Sequence, residues 1–137
     1  MGKIIQDIWI LTKTGISVYN RVYDPEKLDQ QLFAMLMSAI NSFADEVYIG
    51  GISSFELSDK KFSIIKHNDF LFVANSDPKV KCKKVVNELE AISEKFFKAY
   101  PHNVLENWDG DVSIFDNFED HIQDSVQKKL NNFMAMI

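Results

Sequence analysis

The sequence has 137 residues, 46% of them hydrophobic and 26% charged, which is typical of one globular domain spanning residues 1–137. Its 20 acidic residues outnumber its 15 lysines and arginines, so the net charge is -5. Arg21 is the only arginine, and this balance disfavours general nucleic-acid binding, which requires a clustered, arginine-containing basic excess. The single cysteine, Cys82, excludes an internal disulfide and a cysteine-based metal site.

The N-terminal segment has an apolar run that Gln6 and Asp7 interrupt, and it carries only one lysine. This pattern predicts neither a secretory signal nor a membrane anchor. No stretch of the sequence approaches 18 consecutive apolar residues, the length needed to span a bilayer. We expect a cytoplasmic protein, with peripheral contact to membranes as an additional option.

The chain begins with a predicted β-hairpin. Residues 4–12 are mostly apolar, which predicts a strand buried on both faces. Lys13-Thr14-Gly15 predicts a turn, because glycine adopts a positive φ without strain. Residues 16–23 then alternate between apolar and polar side chains, as the second arm of a hairpin does.

A helix and three strands are predicted next. Asp24 and Pro25 predict a helix start, and apolar residues at three- and four-residue spacing continue the helix over residues 25–44. Three short apolar segments then predict strands at residues 48–57, 61–66 and 70–75. His67 and Asn68 predict a tight turn between the last two strands, since asparagine tolerates the left-handed conformation.

The last third of the chain is predicted to be helical. Ser76-Asp77-Pro78 predicts the start of a second long helix over residues 78–100, which Pro101 ends. Residues 102–111 are mostly polar and predict a loop. Ser113 with Asp116 three residues later predicts the capped start of a final helix.

The predicted order is β-β-α-β-β-β-α-α, an α+β fold. Strands joined by tight turns pair antiparallel, so we expect a five-stranded antiparallel sheet. The first and last strands are apolar on both faces, which requires one helix on one side of the sheet and two on the other. Strands 48–57 and 16–23 are expected at the two edges.

This order and its local sequences resemble the longin, or SNARE-like, domains, which occur in vesicle SNAREs, adaptor sigma subunits and TRAPP subunits. The resemblance covers residues 4–130 and is carried by element order and hydrophobic pattern. The matching segments are IWILTKTGISVYNRVY, LMSAINSFADEV, FSIIKHNDFLFVANSD and VSIFDNFEDHI.

The resemblance implies a non-catalytic protein-interaction module in membrane trafficking or small-GTPase regulation. The implied partners are a small GTPase, a coat or tether subunit, or another longin-like chain, including a second copy as a homodimer. The sequence has no heptad SNARE motif and no C-terminal anchor, so we do not expect it to drive membrane fusion.

No residue pattern points to catalysis, a cofactor or a metal. His67, His102 and His121 are not spaced as metal ligands and are expected to be solvated. The nucleotide-binding loop GxxxxGK[ST] is absent, and Cys82 has no nearby histidine to serve as a base. We therefore expect no enzyme activity and no cofactor.

An acidic loop near the C-terminus resembles a calcium-binding loop in composition only. Asn107, Asp109, Asp111 and Ser113 alternate as calcium ligands do, but the glycine is at position 110 and the twelfth-position glutamate is missing. This pattern favours a turn that caps a helix.

Two surfaces are candidates for partner binding. The first is a lysine-rich segment at the start of the second long helix, Lys79, Lys81, Lys83 and Lys84, suited to an acidic partner or an anionic membrane. A simpler interpretation is that these lysines and the acidic residues that follow are ordinary solvated faces, and that the two helices neutralise each other side by side. The second surface is the edge strand, with candidate interface residues Tyr48, Ile49, Ile52 and Phe55, which pair with another chain or only fill the core.

One alternative function stays open at this point. A ligand- or peptide-sensing α/β sandwich unrelated to trafficking would show the same element order. A bound metabolite would favour that alternative, whereas retention of a small GTPase would favour the interaction module.

Overall fold

A computed structural model of the protein describes residues 4–22, 33–35, 37–40, 42, 54–56 (backbone only) and 60–123. The strands are β1 (Asp7–Thr12), β2 (Ser17–Arg21), β3 (Ser54–Glu56), β4 (Lys61–His67) and β5 (Phe70–Ser76). Residues 33–35, 37–40 and 42 are helical and form the described part of α1. The later helices are α2 (Cys82–Ala99), α3 (His102–Glu106), a 3-10 helix (Val112–Phe118) and α4 (Glu119–Ile122). None of the described helices is long and apolar enough to cross a membrane.

The strands form one antiparallel sheet in the order β2-β1-β5-β4-β3. β1 and β5 are central, and Trp9 lies opposite Val73, which in turn lies opposite Ile64 of β4. β2 and β3 are the edge strands, as predicted. Four strands have five to seven residues, and three residues of β3 are described. The rest of the predicted strand 48–57 lies outside the described residues.

Both faces of the central strands are covered, which explains why their sequences are continuously apolar. Side chains alternate across a strand, so Ile8 and Ile10 face one side of the sheet while Trp9 and Leu11 face the other. Trp9 and Leu11 pack with α1, where the Trp9 and Phe33 rings stack 4.2 Å apart. Ile8 and Ile10 pack with α2, the 3-10 helix and α4. The predicted helix–sheet–helix layering is confirmed.

The second layer is an aromatic cluster centred on Phe96, in the last turns of α2. Phe96 is fully buried and its ring contacts six other rings at centroid distances of 5.2–5.6 Å. The 3-10 helix places Phe115 and Phe118, both 0% exposed, on one side. Residues three apart eclipse in this geometry, so a 3-10 helix buries both rings where a regular α-helix would separate them by 60°.

Three predicted boundaries in the helical region are wrong. α2 begins at Cys82 and not at residue 78, because the Asp77 carboxylate accepts a hydrogen bond from the Lys79 N–H (2.8 Å) and closes a turn before the helix. Residues 102–106 are α3 and not a loop, and Pro101 is its N-cap. The final helical segment is capped by Asp111, whose side chain accepts from the Ser113 N–H at 2.9 Å, and not by Ser113.

The two hairpin turns use left-handed backbone. Gly15 has φ +98°, and a Cβ there would lie 3.4 Å from the Ser38 Cβ and 3.5 Å from the Met35 Cα of α1. In the β4–β5 turn the left-handed residues are Asn68 (φ 49°) and Asp69 (φ 69°), so the turn lies one residue later than predicted. These turns bring the β1–β2 and β4–β5 connections side by side, and the Lys13 N–H donates to the Asp69 carbonyl (3.2 Å).

Replacing Gly15 with valine is expected to lower the free energy of unfolding by about 2–3 kcal/mol, because the positive φ is strained and the methyl groups meet α1. The matched control is Gly110→Val, at φ +94° with no atom within 4 Å of the added Cβ. It should cost about 1 kcal/mol less, since only backbone strain remains. Urea unfolding of both variants measures the difference. Equal losses would show that the turn does not pack closely on α1.

Candidate functional site

α2 is the element that positions the candidate partner surface. Val85, Leu89, Ile92 and Phe96 recur at three- and four-residue spacing, are all 0% exposed, and hold one side of the helix on the sheet. The opposite side is exposed. The helix ends where the Tyr100 N–H donates to the Phe96 carbonyl (2.8 Å) and Pro101 follows.

The four predicted lysines form one exposed group at the start of α2, which we name the lysine patch (Lys79, Lys81, Lys83 and Lys84). Two of them precede the helix, contrary to prediction, because Lys79 is in the turn and Lys81 is the N-cap. The first turn of α2 contains no acidic residue and Lys81 supplies no side-chain cap. Positive charges at a helix N-terminus oppose the helix dipole, so the patch stabilises neither the helix nor its cap.

The lysine patch is not neutralised within residues 60–123. None of its side chains makes an ion pair or a hydrogen bond there, and Lys61 adds a further charge beside it by donating to the Val80 carbonyl (3.4 Å). The acidic segment follows the C-terminal end of α2 in the sequence, and its last described part, α4 with Glu119 and Asp120, packs back on α2. Within the described residues no ion pair joins that segment to the lysine patch, and the four lysines are exposed as the solvated-face interpretation expects.

The edge-strand surface lies mainly outside the described residues, including Tyr48, Ile49 and Ile52. Phe55 is in β3, where its backbone is paired with Phe62 of β4. β3 is at the edge of the sheet, so no other described strand occupies its second side. Pairing of this edge with another chain stays a prediction.

The histidines and Cys82 have ordinary neighbours. The His67 Nε2 lies 2.9 Å from a Glu90 carboxylate oxygen, and the His102 Nε2 lies 3.4 Å from Glu106 one helical turn away. The Cys82 Sγ is 3.6 Å from the Ser63 hydroxyl. In the described ranges, no three His, Cys, Asp or Glu residues converge as a metal site would require.

The acidic loop caps a helix, as predicted. Besides the Asp111 cap, the Asp109 carboxylate accepts a hydrogen bond from the Asp111 N–H (3.0 Å). Hydrogen bonds from the Ser113 N–H and hydroxyl lower the pKa of Asp111 below its usual value. The carboxylates are held by backbone and not arranged around a common point.

A polar cluster of Tyr19, Arg21 and Glu119 joins β2 to α4. The sequence pattern did not indicate this cluster. Arg21 is 7% exposed, and its Nε lies 3.3 Å from the Glu119 carboxylate. Tyr19 is 8% exposed, its ring meets Phe118 edge-on at 5.4 Å, and its hydroxyl has no hydrogen-bond partner in the described structure. Burial first, and the Glu119 charge second, raise the pKa of Tyr19.

Tyr19→Phe is expected to raise the free energy of unfolding by about 1 kcal/mol at neutral pH, because it removes a buried hydroxyl without a partner. The raised folded pKa stabilises the protein fully below the unfolded value of 10.0, and this stability is lost as pH rises above it. The variant should therefore lose less stability than wild type between about pH 9 and 11. Urea unfolding at both pH values tests this. A destabilised variant would mean that the hydroxyl is hydrogen-bonded.

A cleft of about 610 Å³ opens at the end of the molecule where α2 finishes. Its walls are the β1–β2 turn, the β4–β5 turn, the last turn of α2, and α3 with Trp108. Its lining residues are Thr12, Lys13, Thr14, Asn68, Asp69, Phe70, Phe97, His102, Leu105, Glu106 and Trp108. The sequence analysis assigned residues 102–111 to a loop and therefore did not predict this cleft. The sequence feature that could have indicated the cleft is the three-residue spacing of the apolar residues Leu105 and Trp108, both of which line it.

Comparison with known proteins identifies the fold but no family. No family model and no curated protein sequence matches the chain. A Roadblock/LC7 domain from Streptomyces avermitilis superposes with a TM-score of 0.55 and 15% identity, covering 71% of this chain and 85% of that one. MglB from Myxococcus xanthus gives 0.54 and 12% identity, covering 69% and 85%. Both have longin-like folds, so the resemblance inferred from the sequence is confirmed for the fold.

Proposed function

We propose that the chain is a non-catalytic, longin-like interaction module in small-GTPase regulation, and that its partner binds at the lysine patch. The observation that carries this proposal is that the patch lysines pair with none of the residues that the structure describes. Four exposed lysines stand at a helix N-terminus that would be more stable with acidic residues. Charges that pair with no other described residue are available to an acidic surface outside the chain.

The fold supports an interaction role without identifying the partner. Longin-like structural neighbours at 12% and 15% identity support the fold on which the resemblance to interaction domains rests. The partner we propose is a small GTPase with acidic residues at its contact surface. Another longin-like chain is the second candidate, because the edge strands β2 and β3 each have one side without a described strand partner.

The experiment is a binding assay of the full chain against purified small GTPases in their GDP- and GTP-loaded states. Retention of a GTPase that weakens at high salt supports the proposal, since surface charges are screened beyond about 8 Å at physiological salt. Failure to retain a GTPase in either nucleotide state would overturn it. Native mass spectrometry of the purified chain tests the alternative, because a co-purifying metabolite favours a ligand-sensing domain.

An anionic membrane competes with a protein partner for the same lysines. Each lysine near an anionic leaflet contributes about 1 kcal/mol, so the patch alone gives only weak recruitment. Sedimentation with phosphatidylserine vesicles separates the two partners. Vesicle binding stronger than GTPase binding would assign the patch to membranes.

A further inference from the structure

The cleft at the end of α2 has the features of a binding site in its own right. Its base is apolar and aromatic: Phe70 is buried, and Phe97, Leu105 and Trp108 are half-buried. Its volume of about 610 Å³ falls within the range of small-molecule and peptide pockets. A single aromatic side chain would not fill it, so it fits two neighbouring apolar groups.

Polar groups surround this base and most of them are already paired. The Lys13 Nζ lies 3.1 Å from the Asp69 carboxylate, and the Trp108 indole N–H donates to the Asp111 carbonyl (2.9 Å). Trp108 is therefore fixed in place, with its ring meeting Phe115 edge-on at 5.4 Å. A cleft with fixed walls binds an apolar group at low entropic cost.

The rim is acidic. Lys13 offsets Asp69, and the remaining carboxylate of the lining is that of Glu106, 66% exposed, which lies 3.4 Å from the exposed His102 Nε2. Asp109, next to Trp108 in the sequence, and Asp111, whose carbonyl accepts from the Trp108 indole N–H, are also exposed. The chain has no lysine or arginine between residues 99 and 127. An apolar base beneath an acidic rim is complementary to apolar side chains next to positive charges.

We propose that this cleft binds a short protein segment that carries two adjacent apolar side chains flanked by lysine or arginine. The apolar pair would enter between Phe97, Leu105 and Trp108, and the flanking cations would meet Glu106 and the aspartates beside Trp108. This goes beyond the function proposed for the lysine patch and does not rest on it. Phe97 and Lys84 are 13 residues apart on α2, about 20 Å along its axis.

The probe is the blocked peptide Lys-Lys-Leu-Phe-Lys-Lys, titrated to about 1 mM into the full-length chain labelled with ¹⁵N. The chain has two tryptophans, so it provides its own control. The Trp108 indole signal should shift on titration. The signal of Trp9, 1% exposed on the opposite face of the sheet, should not. Trp108→Phe assigns the two signals.

Two further peptides separate the apolar from the electrostatic requirement. Replacing the Leu-Phe pair with two alanines should abolish the Trp108 shift, and replacing the four lysines with glutamates should weaken binding at least tenfold. An equal response to all three peptides, or no response to the first, would overturn the proposal.

Glu106→Lys should weaken the lysine peptide about three- to tenfold at low salt, because it reverses an exposed charge at the rim. The control Glu88→Lys, nine residues before Phe97 on α2, should stay within twofold of wild type. Unchanged affinity of Glu106→Lys would contradict the assigned role of the rim. Lys81→Glu/Lys84→Glu should leave peptide binding intact, so failure at one surface is distinguishable from failure at the other.

Discussion

Phe96→Ala is expected to lower the free energy of unfolding by about 3–5 kcal/mol, the range observed when a buried phenylalanine is truncated. The ring is 0% exposed and lies at the centre of the layer between the sheet and the C-terminal helices. It contacts Phe70 and Phe72 of β5 as well as Phe115 and Phe118 of the 3-10 helix. Its removal leaves a cavity between α2, β5 and the 3-10 helix.

The loss is large against a typical total stability of 5–15 kcal/mol for a domain. Phe96→Leu is the matched control, because it retains most of the volume and should cost about 1–1.5 kcal/mol. Urea unfolding followed by circular dichroism measures both variants. A Phe96→Ala variant within 1 kcal/mol of wild type would mean that the 3-10 helix and α4 are not packed as described.

Lys81→Glu/Lys84→Glu is expected to reduce affinity for the GTPase partner at least tenfold while leaving the chain folded. Two charge reversals turn attraction to an acidic surface into repulsion, and they act mainly on the association rate. Glutamates at the start of α2 complement the helix dipole, each adding about 0.3–1 kcal/mol of stability. Unfolding would therefore not explain a loss of binding in this variant.

The matched control is Lys95→Glu/Lys98→Glu, which makes the same charge change near the other end of α2. Both residues are exposed, and Lys98 is in the last turn, where a positive charge is favourable. This control should be slightly less stable and should keep partner affinity within about twofold. Equal loss of binding in both variants would mean that net charge, and not the lysine patch, determines the affinity.

The strands were predictable because their signals are local. β4 and β5 match their predicted limits within one residue, since continuous apolar segments bounded by Asn68 and Asp77 specify a buried hairpin. The edge positions of β2 and β3 also follow from chain order. The start of α2 was not predictable, because Asp77 caps a turn or a helix with the same side chain and only the register of α2 on the sheet decides between them.

The two candidate sites also differ in how much of each could be predicted from the sequence. The lysine patch could be found from the sequence because its residues are adjacent, but only the folded structure shows that none of them pairs with another described residue. The cleft could not be found, because its walls come from the β1–β2 turn, the β4–β5 turn and α3. The pairing of β1 with β5 brings the two turns together, and no pattern within either turn encodes that contact.

The most direct test of the central claim is to map the partner surface on the ¹⁵N-labelled chain by NMR, using the GTPase retained in the binding assay. We expect amide signals of residues 79–84 to shift or broaden on addition of the partner, and we expect Lys81→Glu/Lys84→Glu to remove this response. Signals that change elsewhere, with residues 79–84 unaffected, would contradict it.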